Sequence, residues 1–142
     1  MLFRSTGAFA GKRIESLLAT PMYFEVPARR HPKINFIFAH FGGGWSYLET
    51  VTLLSRLPNC YADTCPGWGK WVFAERMPGV ASLDFRKVLF GTDNSAQSGP
   101  SYAEQERWWG RTLRAMGKTP TDCRRHLYDN AAALLGLAAE KR

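Results

Sequence analysis

The sequence predicts an α/β chain built on a parallel sheet. Three observations carry that expectation. Short apolar runs alternate with stretches of helical period, the runs are too short to be buried helices, and each ends on a polar residue followed by a chain-breaking one. Alternation of this kind sets successive strands parallel, joined by right-handed crossovers.

Taken in order, residues 11–28 have helical spacing. Ile14, Leu17, Leu18 and Met22 share a face, with Pro21 and Pro27 kinking or breaking the helix. "RHPK" reads as a turn into a strand. Residues 34–39 form that strand, an Ile- and Phe-rich run broken only by Asn35, as suits burial on both faces. The glycines at 42–44 punctuate its exit. Helical period resumes from Trp45 to Arg56, before Leu57-Pro58.

"CYAD" at 60–63 is the second strand. Its helix starts at Gly67 or Trp68 and runs to Met77, stopped by Pro78-Gly79. Trp68 and Trp71 read as packing residues. Residues 87–91 are the third strand, followed by the polar loop "NSAQSGPS". A helix over 102–116 places Trp109, Leu113 and Met116 on one face, with Gly117 closing it. In "TPTD", Thr119 is an N-cap, Pro120 takes the first helical position and Asp122 reaches back as the capping-box acid. Leu127, Ala131, Leu134 and Leu135 line the face of this last helix, and Gly136 ends it.

Composition narrows the class. Of 142 residues, 45% are hydrophobic and 22% charged, which belongs to a folded domain and not to a disordered chain. No apolar run nears the roughly 18 residues of a bilayer span, so no membrane partner is expected. The opening "MLFRSTGAFAGKR" has no continuous apolar segment of the kind a signal peptide needs. Three cysteines, Cys60, Cys65 and Cys123, lack zinc-ribbon spacing and read as reduced thiols of a cytoplasmic protein. The net charge of +7 raises the question of nucleic acid, but the basic residues are dispersed as Arg29-Arg30, Arg86-Lys87, Arg111, Arg114 and Arg124-Arg125. That dispersal argues for no nucleic-acid partner.

The polar residues at the strand ends are His40, Asp63 and Asp93, 23 and 30 residues apart. A βα unit of a (β/α)8 barrel takes about 30 residues, so the three fall at equivalent places, the carboxyl ends of successive strands. Ligands bind along that edge in α/β folds. His40 and Asp93 suit Zn²⁺ or a similar ion, or an acid–base pair around a bound water. The plainer alternatives stand beside these. His40 can be a structural strand-end histidine, Asp93 a turn or cap residue, and Asp63 a cap for the following helix, the reading preferred for it. His31 and His126 read as exposed.

Four ordered motifs, "HPKINFIFAHFGGGW", "LPNCYADTC", "RKVLFGTDN" and "LYDNAAALLGL", span 29–137. Together they resemble the carboxyl-terminal half of the amidohydrolase-related family, in the branch of aminocarboxymuconate semialdehyde decarboxylase. The resemblance implies a partial (β/α)8 (TIM) barrel, roughly strands six to eight with flanking helices, as a single incomplete domain over 1–142. It also implies a metal-dependent hydrolase or decarboxylase of a small carboxylate or amide substrate, with a divalent metal, zinc first. Its site residues fall on His40, as acid–base catalyst or metal ligand, and on Asp93, as metal ligand and base. No family role carries over to Asp63. The family's His-x-His pair and its further histidine have no counterpart, since the only histidines are His31, His40 and His126. The site is then incomplete in this chain and the isolated chain inactive, with a homo-oligomer or a complementing barrel half supplying the rest. The competing readings are a truncated remnant or interaction module without chemistry, and a basic polyanion-binding protein.

Overall fold

The computed structural model describes residues 2–4, 20–43, 46–65, 68–93 and 101–137, the first stretch by its backbone. Strands β1 (Leu2–Arg4), β2 (Phe36–Phe38), β3 (Cys60–Asp63) and β4 (Val88–Leu89) form one parallel sheet in chain order. Phe36 lies in register with Leu2 and Cys60, and Ala62 with Phe38 and Val88. β1 is a correction to the sequence reading, which placed no strand before residue 34. Three residues are too few to display alternation.

Of the helix expected over 11–28, residues 11–19 lie outside the described residues. The rest is a 3₁₀ turn, Pro21–Phe24, leading into α1 (Glu25–Arg30). Pro27 falls in the first turn of α1, where an absent N–H costs no helical hydrogen bond. The Asn59 amide donates toward the carbonyls of Ala28, His31 and Ile34 at 3.0, 3.2 and 2.9 Å, pinning the turn between α1 and β2.

The two faces of the sheet differ. Phe36, Phe38, Cys60, Ala62 and Val88 point into the main core. There they meet Leu53 and Leu54 of α2 (Tyr47–Arg56), Val72 and Phe73 of α3 (Trp68–Ala74), and Trp109 and Leu113 of α4 (Tyr102–Ala115). Phe73 sits at its centre, edge-on to Phe41, Phe85 and Trp109 at 5.3, 6.0 and 5.2 Å. Such ring geometry adds to the burial term by about 0.5–1.5 kcal/mol per pair. Trp71, expected to pack, is 39% exposed; the Trp68 side chain lies outside the described residues. The third strand is shorter than expected because Phe85–Lys87 form a 3₁₀ turn before it and the Phe90 N–H goes to the His126 carbonyl after it. Lys87 Nζ donates to the carbonyls of Leu54 and Leu57 at 2.6 and 2.7 Å, capping the end of α2.

Ser101 and Glu104 close a reciprocal capping box at the start of α4, and Gly117 follows its end at φ +76°. α5 (Pro120–Arg124) opens as expected, with Thr119 and Asp122 bonded reciprocally. It continues through one π turn, Arg125–Asp129, into α6 (Asn130–Leu135), which Gly136 stops at φ +68°. The π turn rotates the helix face that a regular period predicts. Leu135 is consequently 57% exposed, while His126, Asn130 and Ala132 are buried. Among the described residues, no helix is long and apolar enough to cross a membrane.

Candidate functional site

The carboxyl end of β2 leaves the sheet through a left-handed turn. His40, Phe41, Gly42 and Gly43 all have positive φ, at 56, 52, 79 and 73°. Each non-glycine residue in that region costs about 1–2 kcal/mol, so something must hold it. Asp63 does so from β3. Its Oδ1 accepts the His40 N–H at 2.8 Å and the Cys65 N–H at 3.1 Å. Phe41 is fully buried against Phe73, and Gly43 N–H closes on the His40 carbonyl at 2.9 Å. Gly42 is required twice over, since a Cβ there would overlap the Thr50 hydroxyl as well as adopt positive φ. The expected helix-capping role of Asp63 is corrected: it clamps the His40 turn to the tip of β3.

Asp93 follows β4 and is exposed, also at positive φ, +48°. The loop expected after it falls over 94–100, outside the described residues. A cavity of about 280 Å³ lies between the strand tips and α6. Ile37, Asp63, Cys65, Leu89 and Asp93 line it on the sheet side, and Leu134 and Leu135 on the helical side. Gly91 keeps its floor open, because a Cβ there would sit 2.7 Å from Cys65 Sγ and 3.5 Å from Asp63 Cγ. The structure therefore brings Asp63 and Asp93 to one cavity. His40 joins through its backbone N–H, and its half-buried imidazole is not part of the lining.

All three cysteines are free and buried. Burial, and then the Asp63 and Asp93 carboxylates, push the Cys65 thiol far up, so it stays protonated beside the cavity. Burial pushes the Cys60 thiol up to about 11. Neither has the thiolate character of a nucleophile.

His126, expected at the surface, is fully buried among the rings of Phe85, Phe90 and Trp109. Its Nδ1 lies 3.4 Å from the Val88 carbonyl, which can only accept, so Nδ1 carries the proton. Nε2 lies 3.3 Å from the Thr64 hydroxyl, whose single proton also has the Leu89 carbonyl in reach at 3.2 Å. Burial pushes its pKa down to about 4, leaving it neutral. The His126 carbonyl accepts the Phe90 N–H at 3.0 Å, and Asn130 Nδ2 donates to the Phe85 and Val88 carbonyls at 2.5 and 2.9 Å. Together these residues fix β4, the strand that presents Asp93. Sequence reasoning missed them, because His126 follows Arg124 and Arg125 and Asn130 follows Asp129, neighbours that belong to a solvated face.

A metal centre needs more than this set provides. Zinc takes three or four protein ligands. Among the described residues, no group of three or more His, Cys, Asp or Glu side chains is placed to hold a metal ion. The residues present do not by themselves fit one.

A family model, described as amidohydrolase, matches residues 6–137 of the chain. No curated protein matches it.

Proposed function

The chain belongs to the amidohydrolase family, and on that premise we propose that it carries part of a hydrolase-type site for a small carboxylate or amide substrate. The observation that supports this is the meeting of Asp63 and Asp93 at one cavity on the carboxyl edge of a parallel sheet. In this reading the chain is a sector of a (β/α)8 barrel, near the decarboxylase-like branch of the family. Asp93 takes the proton of an attacking water, and His40 returns one to the leaving group. Asp63 positions the His40 turn through the 2.8 Å bond.

The family commonly uses a divalent metal, and zinc is the proposed ion. Asp93 would give it one ligand, and His40 a second where it does not serve as the acid, so the remainder must come from outside the described residues, from a second copy or a complementing barrel half. No catalytic step is assigned to the metal on this set.

The test is bound zinc and hydrolysis of a small aryl amide, measured on the purified chain with and without added zinc. Asp93→Ala is expected to lower the rate by about 10²–10⁴-fold and to reduce bound zinc. A wild-type rate equal to that of zinc-containing buffer, with bound metal indifferent to His40→Ala and Asp93→Ala, would overturn the proposal. That result would favour the non-catalytic remnant.

A further inference from the structure

A second cavity, of about 520 Å³, opens toward the amino-terminal ends of β2 and β4, away from Asp93. Asn35, just before β2, Tyr61 of β3 and Arg86, just before β4, line it from the sheet. Arg125, Asp129 and Asn130 line it from the π turn and the start of α6, and Leu134 supplies an apolar wall. Its volume falls in the range of small-molecule sites.

The ion pairs around this cavity leave donors over. Arg86 holds Asp84 through Nε and Nη2, at 2.8, 2.9 and 3.1 Å, which leaves the N–H groups of Nη1. Asp129 gives Oδ1 to Arg124 at 3.1 Å. Arg125 pairs with Asp122 at 3.8 Å, beyond hydrogen-bond reach, and Oδ2 of that acid is taken by Thr119. Both arginines are reachable, with side chains 72% and 43% exposed. Among the described residues, no hydrogen bond engages the Arg125 guanidinium, the Tyr61 hydroxyl or the Asn35 amide. Asn130 gives both amide hydrogens to the Phe85 and Val88 carbonyls, so what it offers a ligand is the acceptor Oδ1.

We propose that this cavity binds a small hydroxylated organic phosphate, with the phosphate on Arg125 and Arg86 and the hydroxyl groups against Tyr61, Asn35 and Asn130. Guanidinium forks match phosphate oxygens in geometry and charge. Three terminal oxygens serve two arginines from different elements, whereas the two oxygens of a carboxylate are filled by one fork. The neutral donors and the Asn130 acceptor favour a body that carries hydroxyl groups, because a hydrocarbon body leaves them unmatched. None of His40, Asp63 or Asp93 takes part, so the inference stands apart from the hydrolase reading.

Glucose 6-phosphate, glucose and inorganic phosphate are the probes, the last two being the halves of the first. Binding to the purified chain is followed by ligand-detected NMR at physiological ionic strength, where attraction by distant charge is screened. Glucose 6-phosphate is expected to saturate and to bind about tenfold or more tightly than either half. Arg125→Gln should weaken it by about tenfold or more. Tyr61→Phe should weaken glucose 6-phosphate but not inorganic phosphate. Arg111→Gln removes the same charge from an exposed position on α4 outside the lining, and should change nothing. Inorganic phosphate binding as well as glucose 6-phosphate, equal losses from Arg125→Gln and Arg111→Gln, or no saturable binding would each overturn the inference. If Arg125→Gln fails to fold by circular dichroism, Tyr61→Phe and the ranking of the three probes decide. The two readings fail separately, because Asp93→Ala should leave glucose 6-phosphate binding unchanged.

Discussion

Acid should weaken the fold through His126, well above the pH at which its carboxylates protonate. The ring is fully buried and held neutral between the Val88 carbonyl and the Thr64 hydroxyl. Among the described residues its ring neighbours are Phe85, Phe90 and Trp109. Its pKa is about 4 in the folded chain, against an ordinary value of 6.5. Between those values the unfolded chain binds more protons than the folded one, so stability falls as pH drops through that window and levels off below it. A drop from 6.5 to about 4 corresponds to roughly 3 kcal/mol, a large share of the 5–15 kcal/mol typical of a domain. Other groups act lower. Asp84, Glu104 and Asp122 are held below their ordinary values by hydrogen bonds from Arg86, Ser101 and Thr119. What they contribute is lost only as pH falls below the ordinary values of 3.8 and 4.5 toward their folded pKa. Urea unfolding followed by tryptophan fluorescence at several pH values between 7 and 4 measures the slope. Trp109, 4.7 Å from the His126 ring, is the natural reporter. His126→Asn removes the titration, and should be less stable at pH 7 but flat across the window. Parallel pH profiles for wild type and variant, or the His126 imidazole itself titrating near 6.5 by NMR, would refute the reasoning.

Two further outcomes follow from the packing. Asn130→Ala strips two buried carbonyls, those of Phe85 and Val88, of a donor at 2.5 and 2.9 Å; it should cost about 2–3 kcal/mol in urea unfolding, and a loss under about 0.5 kcal/mol would count against the role of Asn130 in holding β4. Gly42→Ala and Gly117→Ala both force alanine to positive φ, +79° and +76°, but only the former meets neighbours, Thr50 and Pro21, while the latter meets nothing within 4 Å. Gly117→Ala should therefore cost about 1–2 kcal/mol and Gly42→Ala more, and equal thermal shifts would mean that the turn after β2 yields more readily than its packing implies.

How far the sequence led depends on how local each signal was. β3 was legible at its observed bounds, because an apolar run between Pro58-Asn59 and the Thr64-Cys65-Pro66 breaker leaves little choice. The Thr119 cap, Pro120 and the positive-φ glycines at 117 and 136 were legible for the same reason: cap chemistry spans four residues. His126 was not, since a mid-helix histidine among arginines reads as solvated until a π turn and two strand-edge groups turn it inward. The polar strand-end residues were found, but their division of labour was not. Which of Asp63's oxygens is used depends on the left-handed turn of another strand, 23 residues earlier, and no spacing rule reports that.

The edge of β4 bears on how such a site could be completed. In a parallel strand the N–H and C=O groups of alternate residues point to opposite flanks. Leu89 O accepts from Thr64 on the β3 side, so Val88 O and Phe90 N face the other way. Both are already matched, Val88 O by His126 Nδ1 and Asn130 Nδ2, and Phe90 N by the His126 carbonyl. An unmatched edge would invite another strand; this one is closed by its own helix. A further strand pairing with β4 would first have to break these bonds and move the π turn, which also carries the helix that walls the cavity. β1 lies at the opposite flank of the sheet and pairs only with β2 among the described strands. A complementing segment that joins the sheet there leaves Asp63, Asp93 and the cavity undisturbed, whereas one that joins at β4 rebuilds them. The two routes separate experimentally, because only the second exposes His126 and returns its titration to the ordinary range.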